Sequence, residues 1–234
     1  MKKMIVAGLL GLTGVLLLFG GQNVCCGKSE SNLESKGSLD YKNDCFYNAD
    51  GTFDEERGKD AIIALMKYHG YPVYPNMRES LWVSDYGTGR FTEVGLAARM
   101  WVNNVEDKYM NMDLYLLPNQ MLPEHWHLEG TQDGVNVPAK REGWLIRYGS
   151  SYVVGEGEDN LTVFVPESHN NGTVTVKHQI LCEAGDYATL NRPLAHHWQK
   201  AGPEGAIINE TANGHCNEGV RHLDPCINNH FIGK

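Results

Sequence analysis

Two histidines separated by a single residue, His125 and His127, are the side chains in this 234-residue chain best spaced to act on one ion. They end a segment whose pattern predicts a β-strand. Because residues i and i+2 of an extended strand face the same side, both imidazoles can converge on one point. Imidazole is a common ligand of transition metals. The pair alone is weak support for a metal site, since histidines also occur as ordinary core or surface groups.

Two other segments offer groups that would complete such a site. Glu142 stands at the start of a predicted strand, and its carboxylate would help three histidines hold a divalent ion such as Mn, Fe or Zn. Glu129 is a rival because it is nearer to His127, but no strand follows it to fix its direction. After Pro193 comes the adjacent pair His196 and His197, and either histidine could return to the same point.

The order of these groups, HxH, Glu, the Gly185-Asp186 pair, Pro and His, resembles the two motifs of cupin proteins. The flanking segments are similar to those of the D-lyxose isomerase family, which are cupin sugar isomerases. The similarity extends from roughly Asp44 to the C-terminus and is most specific from Gln120 onward. Its segments are Gln120 to His127, Lys140 to Gly149, His197-Trp198, Ala201 to Ala206, and Asn209-Glu210-Thr211 to Asp224-Pro225.

The resemblance implies a divalent metal, Mn²⁺ in the first place with Zn²⁺ or Fe²⁺ as alternatives. The ligands that it implies are His125, His127, Glu142 and His197. His197 is favoured over His196 because it lies four residues after proline and directly before tryptophan, and His196 stays open as an alternative. The chain departs from the family in a longer stretch between the second histidine and the glutamate, and in Arg141, where an acidic residue often stands. These departures bear on the substrate more than on the metal.

Aldose and ketose interconvert through an enediol, which requires a base, an acid and stabilisation of an oxyanion. Glu210 is the candidate for the proton-transferring carboxylate, and Lys140 for the group that stabilises the oxyanion or acts as acid. The predicted function is therefore a metal-dependent isomerase of a small monosaccharide such as D-lyxose or D-xylulose. Two alternatives remain: a non-catalytic, metal-containing sugar-binding cupin lipoprotein, and an iron-dependent cupin oxygenase.

The elements that must position these groups form one predicted domain, residues 41–234. Apolar residues at helical spacing between Asp60 and Tyr68 predict a short N-terminal helix that ends at Gly70. Short runs bounded by turn residues follow, and they predict strands of a sandwich or barrel. The expected fold is mainly β, a cupin double-stranded β-helix with a jelly-roll-like barrel. The predicted strands include Met112 to Leu116, Gly143 to Val154, Leu161 to Val165 and Thr173 to Leu181.

The N-terminal pattern predicts an export signal that lies outside this domain. Lys2 and Lys3 precede an apolar run from Met4 to Phe19, which is too short for a typical membrane span, so that residues 1–26 read as a signal peptide. Lipidation at Cys25 or Cys26 is a further expectation, and the polar residues 27–40 would then form a tether. The predicted location is periplasmic or at the cell surface. Cys45, Cys182, Cys216 and Cys226 either pair there as disulfides or are buried free thiols.

The charge of the chain argues against a nucleic-acid partner. Its formal net charge is −9, and lysine and arginine are scattered rather than clustered. The expected partner is a small monosaccharide, with a membrane tether through the N-terminal lipid and a homodimer formed through strand edges as further possibilities.

Overall fold

The computed structural model describes residues 37–232. The predicted signal peptide and most of the predicted tether lie outside the described residues. Of the tether, residues 37–40 are described, and Leu39 is buried in a cluster with Phe46 and Leu65. None of the helices within the described range is long and apolar enough to cross a membrane.

Eleven strands and three α-helices make up most of the described part of the chain. The helices are α1 (Glu55–His69), α2 (Met77–Ser80) and α3 (Pro225–Ile232). The strands are β1 (Trp82–Ser84), β2 (Leu96–Asn104), β3 (Tyr109–Leu116), β4 (Met121–His127), β5 (Gly130–Gln132), β6 (Val135–Val137), β7 (Glu142–Gly155), β8 (His178–Glu183), β9 (Tyr187–Thr189), β10 (His197–Ala212) and β11 (Val220–His222). Short 3₁₀ helices occupy Asn43–Phe46, Asn170–Gly172 and Asn217–Gly219.

The long strand β10 joins the two halves of the barrel. Its first half pairs antiparallel with β4 and its second half with β3, while β7 runs along its other side for nearly the whole length. Along the sheet, the strands follow the order β1-β2-β3-β10-β4-β11. Strand β7, which pairs with β10, also pairs with β8 and β9. The pairings between these strands are all antiparallel and the arrangement is jelly-roll-like, so the mainly β cupin fold predicted from the sequence is confirmed.

Neighbouring residues on β3 and β10 belong to two different hydrophobic clusters. Leu114 and Ile208 face the barrel interior, where they cluster with Trp144. The adjacent residues Tyr115 and Ile207 face outward and pack with helix α1. This alternation follows from the two-residue period of a strand. One face of the sheet therefore lines the interior, and the other is covered by the N-terminal helix.

Helix α1 is the predicted N-terminal helix, with one further turn at its start. Asp54 caps it, since the carboxylate accepts hydrogen bonds from the backbone N–H groups of Glu56 and Arg57. Gly70 ends it with φ +69°, a left-handed conformation that glycine adopts without steric cost. Ile62 and Met66 lie on its buried face.

The prediction of a strand from Leu161 to Val165 was wrong. This segment is irregular, and the strand predicted to begin at Thr173 begins only at His178. The Gln179 side-chain oxygen accepts hydrogen bonds from the N–H groups of Thr162 and Val163 at 2.9 and 3.2 Å. A side chain thus takes the place of a neighbouring strand, and the apolar residues of the segment pack against Trp198.

The four cysteines within the described residues are free thiols. Cys216 is buried, and its thiol donates to the carbonyl of Thr131 at 3.2 Å. No disulfide joins these four residues, and the expectation of buried free thiols holds for Cys182 and Cys216, whereas Cys45 is half-buried and Cys226 is exposed.

Candidate metal centre and active site

Three different strands bring the predicted ligands to one end of the barrel. His125 and His127 lie on β4, Glu142 begins β7 and His197 begins β10. The register of β10 on β4 places His197 directly opposite His125. All four side chains are buried, with Glu142 6% and His197 2% exposed.

The three imidazoles converge on a common point. The ligand nitrogens of His125, His127 and His197 all lie within 4.8 Å of one another. Glu142 Oε1 lies 3.2 Å from Nε2 of His127 and 3.2 Å from Nε2 of His197. The structure thus brings together the four side chains that the sequence pattern singled out.

Backbone carbonyls orient two of these rings. His125 Nδ1 lies 2.8 Å from the carbonyl oxygen of Pro123, and His197 Nδ1 lies 3.0 Å from that of Ala195. When Nδ1 donates its proton to a carbonyl, Nε2 carries the lone pair that binds a metal. Burial lowers the pKa of His125 well below its ordinary value and that of His127 to about 4, so both rings favour the neutral form.

The donor atoms fit a divalent metal ion. His127 Nε2, His197 Nε2 and Glu142 Oε1 are buried, and none of the three has a hydrogen-bond partner among the described residues. Buried polar atoms are rarely left without a partner in a folded protein. Three imidazoles and one carboxylate form a suitable donor set for Zn, Fe or Mn, and these orphaned atoms face one another across the space that an ion would fill.

The alternatives to these ligands lie elsewhere. His196 faces away from the cluster, stacks on Trp126 with ring centroids 4.1 Å apart, and places Nδ1 2.8 Å from Glu124 Oε1. Adjacent residues at the start of a strand point to opposite faces, which explains why only one histidine of the pair reaches the cluster. Glu129 is exposed on the loop after β4.

Lys140 connects this cluster to a second carboxylate. Its Nζ lies 3.0 Å from Glu142 Oε2 and donates a short hydrogen bond to Glu210 Oε1. The indole N–H of Trp144 donates to Glu210 Oε2 at 3.3 Å, because the register of β7 on β10 sets these two residues opposite each other. Both Lys140 and Glu210 are buried, at 4% and 3% exposed.

The charges in this group depend on one another. Burial would lower the pKa of Lys140, but the charges of Glu142 and Glu210 outweigh it and raise that pKa. Burial would raise the pKa of Glu142, but Lys140 and the histidines hold it well below its ordinary value. Burial raises the pKa of Glu210 to about 7, with Lys140 opposing and Glu142 assisting. The arrangement is therefore a charged lysine between one firmly ionised carboxylate and one that gains a proton readily.

A cavity of about 570 Å³ opens onto these groups. His125, His127, Lys140 and Glu210 line one part of its wall. Much of the remainder comes from elements in which the sequence indicated no site residue: the segment from α2 to Tyr86, β2, β11 and α3. Tyr86 and His222, in particular, face the cavity. No motif marked Tyr86 in the sequence, and His222 lies within the family-like segment from Asn209 to Pro225 without having been singled out.

Comparisons with known proteins identify relatives that match most of the chain. No protein-family model matches the chain. The D-lyxose/D-mannose isomerase of Thermosediminibacter oceani is 32% identical over 171 residues, covering 72% of this chain and 90% of that protein. The D-lyxose ketol-isomerase of Cohnella laeviribosi is 31% identical over 171 residues, with the same coverage of 72% and 90%.

A solved structure supports the fold independently. The unliganded L-ribose isomerase of Cellulomonas parahominis superposes with a TM-score of 0.51 at 12% identity, covering 78% of this chain and 95% of that one. At this low identity the likeness concerns the barrel alone. Taken with the sequence identity to the two curated isomerases, it shows that the chain belongs to the D-lyxose isomerase family of cupin sugar isomerases.

Proposed function

We propose that this protein interconverts a small aldose and its ketose, D-lyxose and D-xylulose in the first place, with Mn²⁺ as its metal. The proposal rests on one observation above all: Lys140 contacts both Glu142, in the histidine cluster, and Glu210. A metal-binding group and a proton-transferring group thereby lie side by side on one cavity wall. The activity of the curated relatives supports the same substrate class.

Isomerisation moves a proton between the two carbons that carry the hydroxyl and carbonyl groups. Glu210, as a carboxylate, takes the proton from one carbon and returns it to the other through the enediol, while the proton of the hydroxyl group passes to the carbonyl oxygen. The hydrogen bonds of Lys140 and Trp144 to its two oxygens hold the carboxyl group in one orientation. Lys140, with a raised pKa, stays cationic and stabilises negative charge that develops on the neighbouring oxygen.

His125, His127, His197 and Glu142 would hold the metal ion. When bound, the ion supplies Lewis-acid polarisation of the hydroxyl and carbonyl oxygens. The apolar part of the wall, which includes Trp82 and Leu114, excludes water from the enediol and packs against the C–H faces of the sugar.

Metal analysis followed by a sugar assay tests the proposal. The full chain, as purified and after loading with Mn²⁺, is incubated anaerobically with a panel of aldopentoses and aldohexoses, and the ketose products are measured. We expect about one ion per chain, ketose formation without oxygen, and loss of activity on chelation that Mn²⁺ restores. Sugar binding with no turnover would instead support the non-catalytic alternative. Oxygen consumption with Fe²⁺ would support an oxygenase.

We also propose that the protein acts outside the cytoplasm, from the basic and apolar pattern of residues 1–26. Cell fractionation tests the location, and incorporation of a labelled fatty acid into wild type, Cys25→Ser and Cys26→Ser tests the anchor. Label lost in only one variant would identify the modified cysteine, and protein found only in the cytoplasm would contradict export.

A further inference from the structure

Tyr86 has a backbone conformation that a bulky residue seldom adopts. Its φ is +56°, in the left-handed region where a side chain other than glycine, asparagine or aspartate is an outlier. Such a conformation is strained and persists only where the surrounding structure determines it. Residues of this kind occur most often at functional sites.

The loop around Tyr86 is fixed by side-chain hydrogen bonds. Ser84 Oγ accepts from the N–H of Tyr86 at 2.9 Å. The buried carboxylate of Asp85 accepts from the N–H groups of Gly87 and Gly89 at 2.9 and 3.2 Å and from the hydroxyl of Tyr47 at 2.9 Å. The loop is therefore held in the one conformation that turns Tyr86 into the barrel.

The Tyr86 ring lies in the cavity wall, and the ring of His222, which it contacts, lies 5.8 Å from the ligand ring of His125. The residue is 4% exposed and packs edge-on against His222, at 5.4 Å between ring centroids, and against Phe231, at 5.5 Å. The charge of Glu210 adds to the effect of burial in raising the pKa of Tyr86, which keeps the phenol protonated and able to donate.

The hydroxyl of Tyr86 makes no hydrogen bond with any residue that the structure describes. Two other tyrosines of the chain differ in this respect: Tyr71 donates to Asp113 at 2.6 Å and Tyr115 reaches the same carboxylate at 3.5 Å. A buried tyrosine hydroxyl usually has a partner. Tyr86 lines the cavity, so that its hydroxyl, which has no hydrogen-bond partner among the described residues, is available to a molecule bound there.

We propose that Tyr86 determines specificity by hydrogen bonding, through its hydroxyl, a sugar hydroxyl remote from the reacting carbons. This inference rests on the proposed sugar-isomerase function and goes beyond it, because it assigns recognition of the unreactive part of the sugar. A site that hydrogen-bonds a substrate hydroxyl discriminates strongly against an analogue that lacks it. The rigid loop would hold the phenol in place before the sugar binds.

Tyr86→Phe tests the proposal because it keeps the ring and removes one atom. The best aldopentose of the wild type and its deoxy analogues, one for each hydroxyl beyond the reacting carbons, are assayed with both proteins. We expect kcat/KM of the variant to fall roughly 10- to 100-fold on the parent sugar. On the one deoxy analogue that lacks the contacted hydroxyl, both proteins should react equally. Tyr115→Phe, a buried tyrosine in the outer core, should behave as wild type with every sugar.

A second readout avoids turnover. Calorimetric binding of the corresponding pentitol, which cannot isomerise, should weaken about tenfold in Tyr86→Phe while the metal content stays that of wild type. An unchanged kcat/KM, or an equal loss on every deoxy analogue, would overturn the proposal. If Tyr86→Phe does not fold, Ser84→Ala replaces it: a raised KM with unchanged metal content supports the inference, and an unchanged KM overturns it. A wild type that isomerises no sugar would refute the proposed function instead.

Discussion

Lys140 is the residue on which the electrostatics of the site depend. It is enclosed with two carboxylates, Glu142 and Glu210, where water cannot screen their mutual repulsion. A buried ion whose partner is removed is strongly destabilising, because the charge that remains is neither solvated nor paired. The lysine thus stabilises the fold as well as serving the chemistry.

Replacing Lys140 with methionine should lower the free energy of unfolding of the metal-free protein by about 3–5 kcal/mol. Combining it with Glu210→Gln, which removes one of the two repelling charges, should recover part of that loss. Urea denaturation of wild type, both single variants and the double variant measures the coupling. Strictly additive changes would show that the lysine and Glu210 do not interact.

Glu210→Gln should abolish most of the isomerisation and leave the metal site intact. The amide keeps the shape of the carboxyl but cannot accept the proton from carbon, so kcat should fall by about 10²–10⁴. Steady-state kinetics and metal analysis on the same preparation measure both effects. Glu183→Gln, an exposed change of the same kind at the end of β8, is the matched control and should keep full activity. An active Glu210→Gln would exclude this carboxyl as the proton-transferring group.

The adjacent histidines should differ sharply in their effect on metal content. His197→Ala removes one of three converging imidazoles and should lower metal affinity at least 10- to 100-fold. His196→Ala removes a ring that stacks on Trp126 outside the cluster, and should leave about one ion per chain. Metal analysis after dialysis against a weak chelator separates the two. Loss of metal from His196→Ala alone would reverse the assignment of the ligand.

For individual residues, the sequence was most informative where the spacing along a strand determines which face a side chain lies on. Two residues on one strand share a face, so His125 and His127 could be paired from the sequence alone. Tyr86 could not be found in the same way, and the resemblance of the segment from Asn209 to Pro225 covered His222 without marking it as a site residue. Their place in the cavity depends on a loop held by Asp85 and on a short strand near the C-terminus, and neither contact leaves a pattern in neighbouring residues.

Among the elements, the backbones of β7 and β10 are in close contact at two glycines. Gly149 and Gly205 have φ of +69° and +75°, where the register between the strands shifts. A Cβ atom on Gly149 would overlap the carbonyl oxygen of Gly205, which is backbone and cannot move aside. The bend that carries His197 and Glu210 on one continuous strand therefore depends on the absence of a side chain there.

Gly149→Ala should destabilise the protein by about 3 kcal/mol or more, the sum of a left-handed backbone and a steric clash. Gly134→Ala is the matched control: this glycine also has a positive φ, of +80°, but a Cβ atom there would meet no other atom within 4 Å. Its cost should be about 1 kcal/mol. Thermal denaturation of the two variants measures the difference, and equal losses would show that the close approach of β7 and β10 is not limiting.

Helix α1 could be predicted from the sequence, whereas the irregular segment before β8 could not. The helix has apolar residues at regular spacing and a terminal glycine, and both signals are local. The run from Leu161 to Val165 has the apolar content of a strand, but its N–H groups bind the Gln179 side chain. Strand formation requires a neighbour in the sheet, and short apolar runs do not specify one.

For the molecule as a whole, enclosing histidines in a barrel links its stability to pH. His169 has no exposed surface and neither ring nitrogen has a hydrogen-bond partner among the described residues. Burial lowers its pKa, and the charges of Asp224 and Glu124 only partly oppose this. Burial also lowers the pKa of His222 and of His215 to about 3. The folded protein thus keeps these rings neutral at pH values where the unfolded chain would protonate them.

The metal-free protein should therefore lose stability as the pH falls from about 6.5 toward 4, since the unfolded chain binds more protons in this window. Each such histidine contributes a slope of up to about 1.4 kcal/mol per pH unit. Glu210, with its raised pKa of about 7, acts in the opposite direction between pH 7 and 4.5, and so does His197, whose pKa Glu142 raises despite burial. These two groups are outweighed by the five histidines with a lowered pKa: His125, His127, His169, His215 and His222. Urea denaturation at several pH values measures the slope. His169→Leu should flatten it, whereas His230→Leu, at an exposed position of α3, should not. A free energy of unfolding that stays constant between pH 6.5 and 4 would show that these rings are already protonated in the folded barrel.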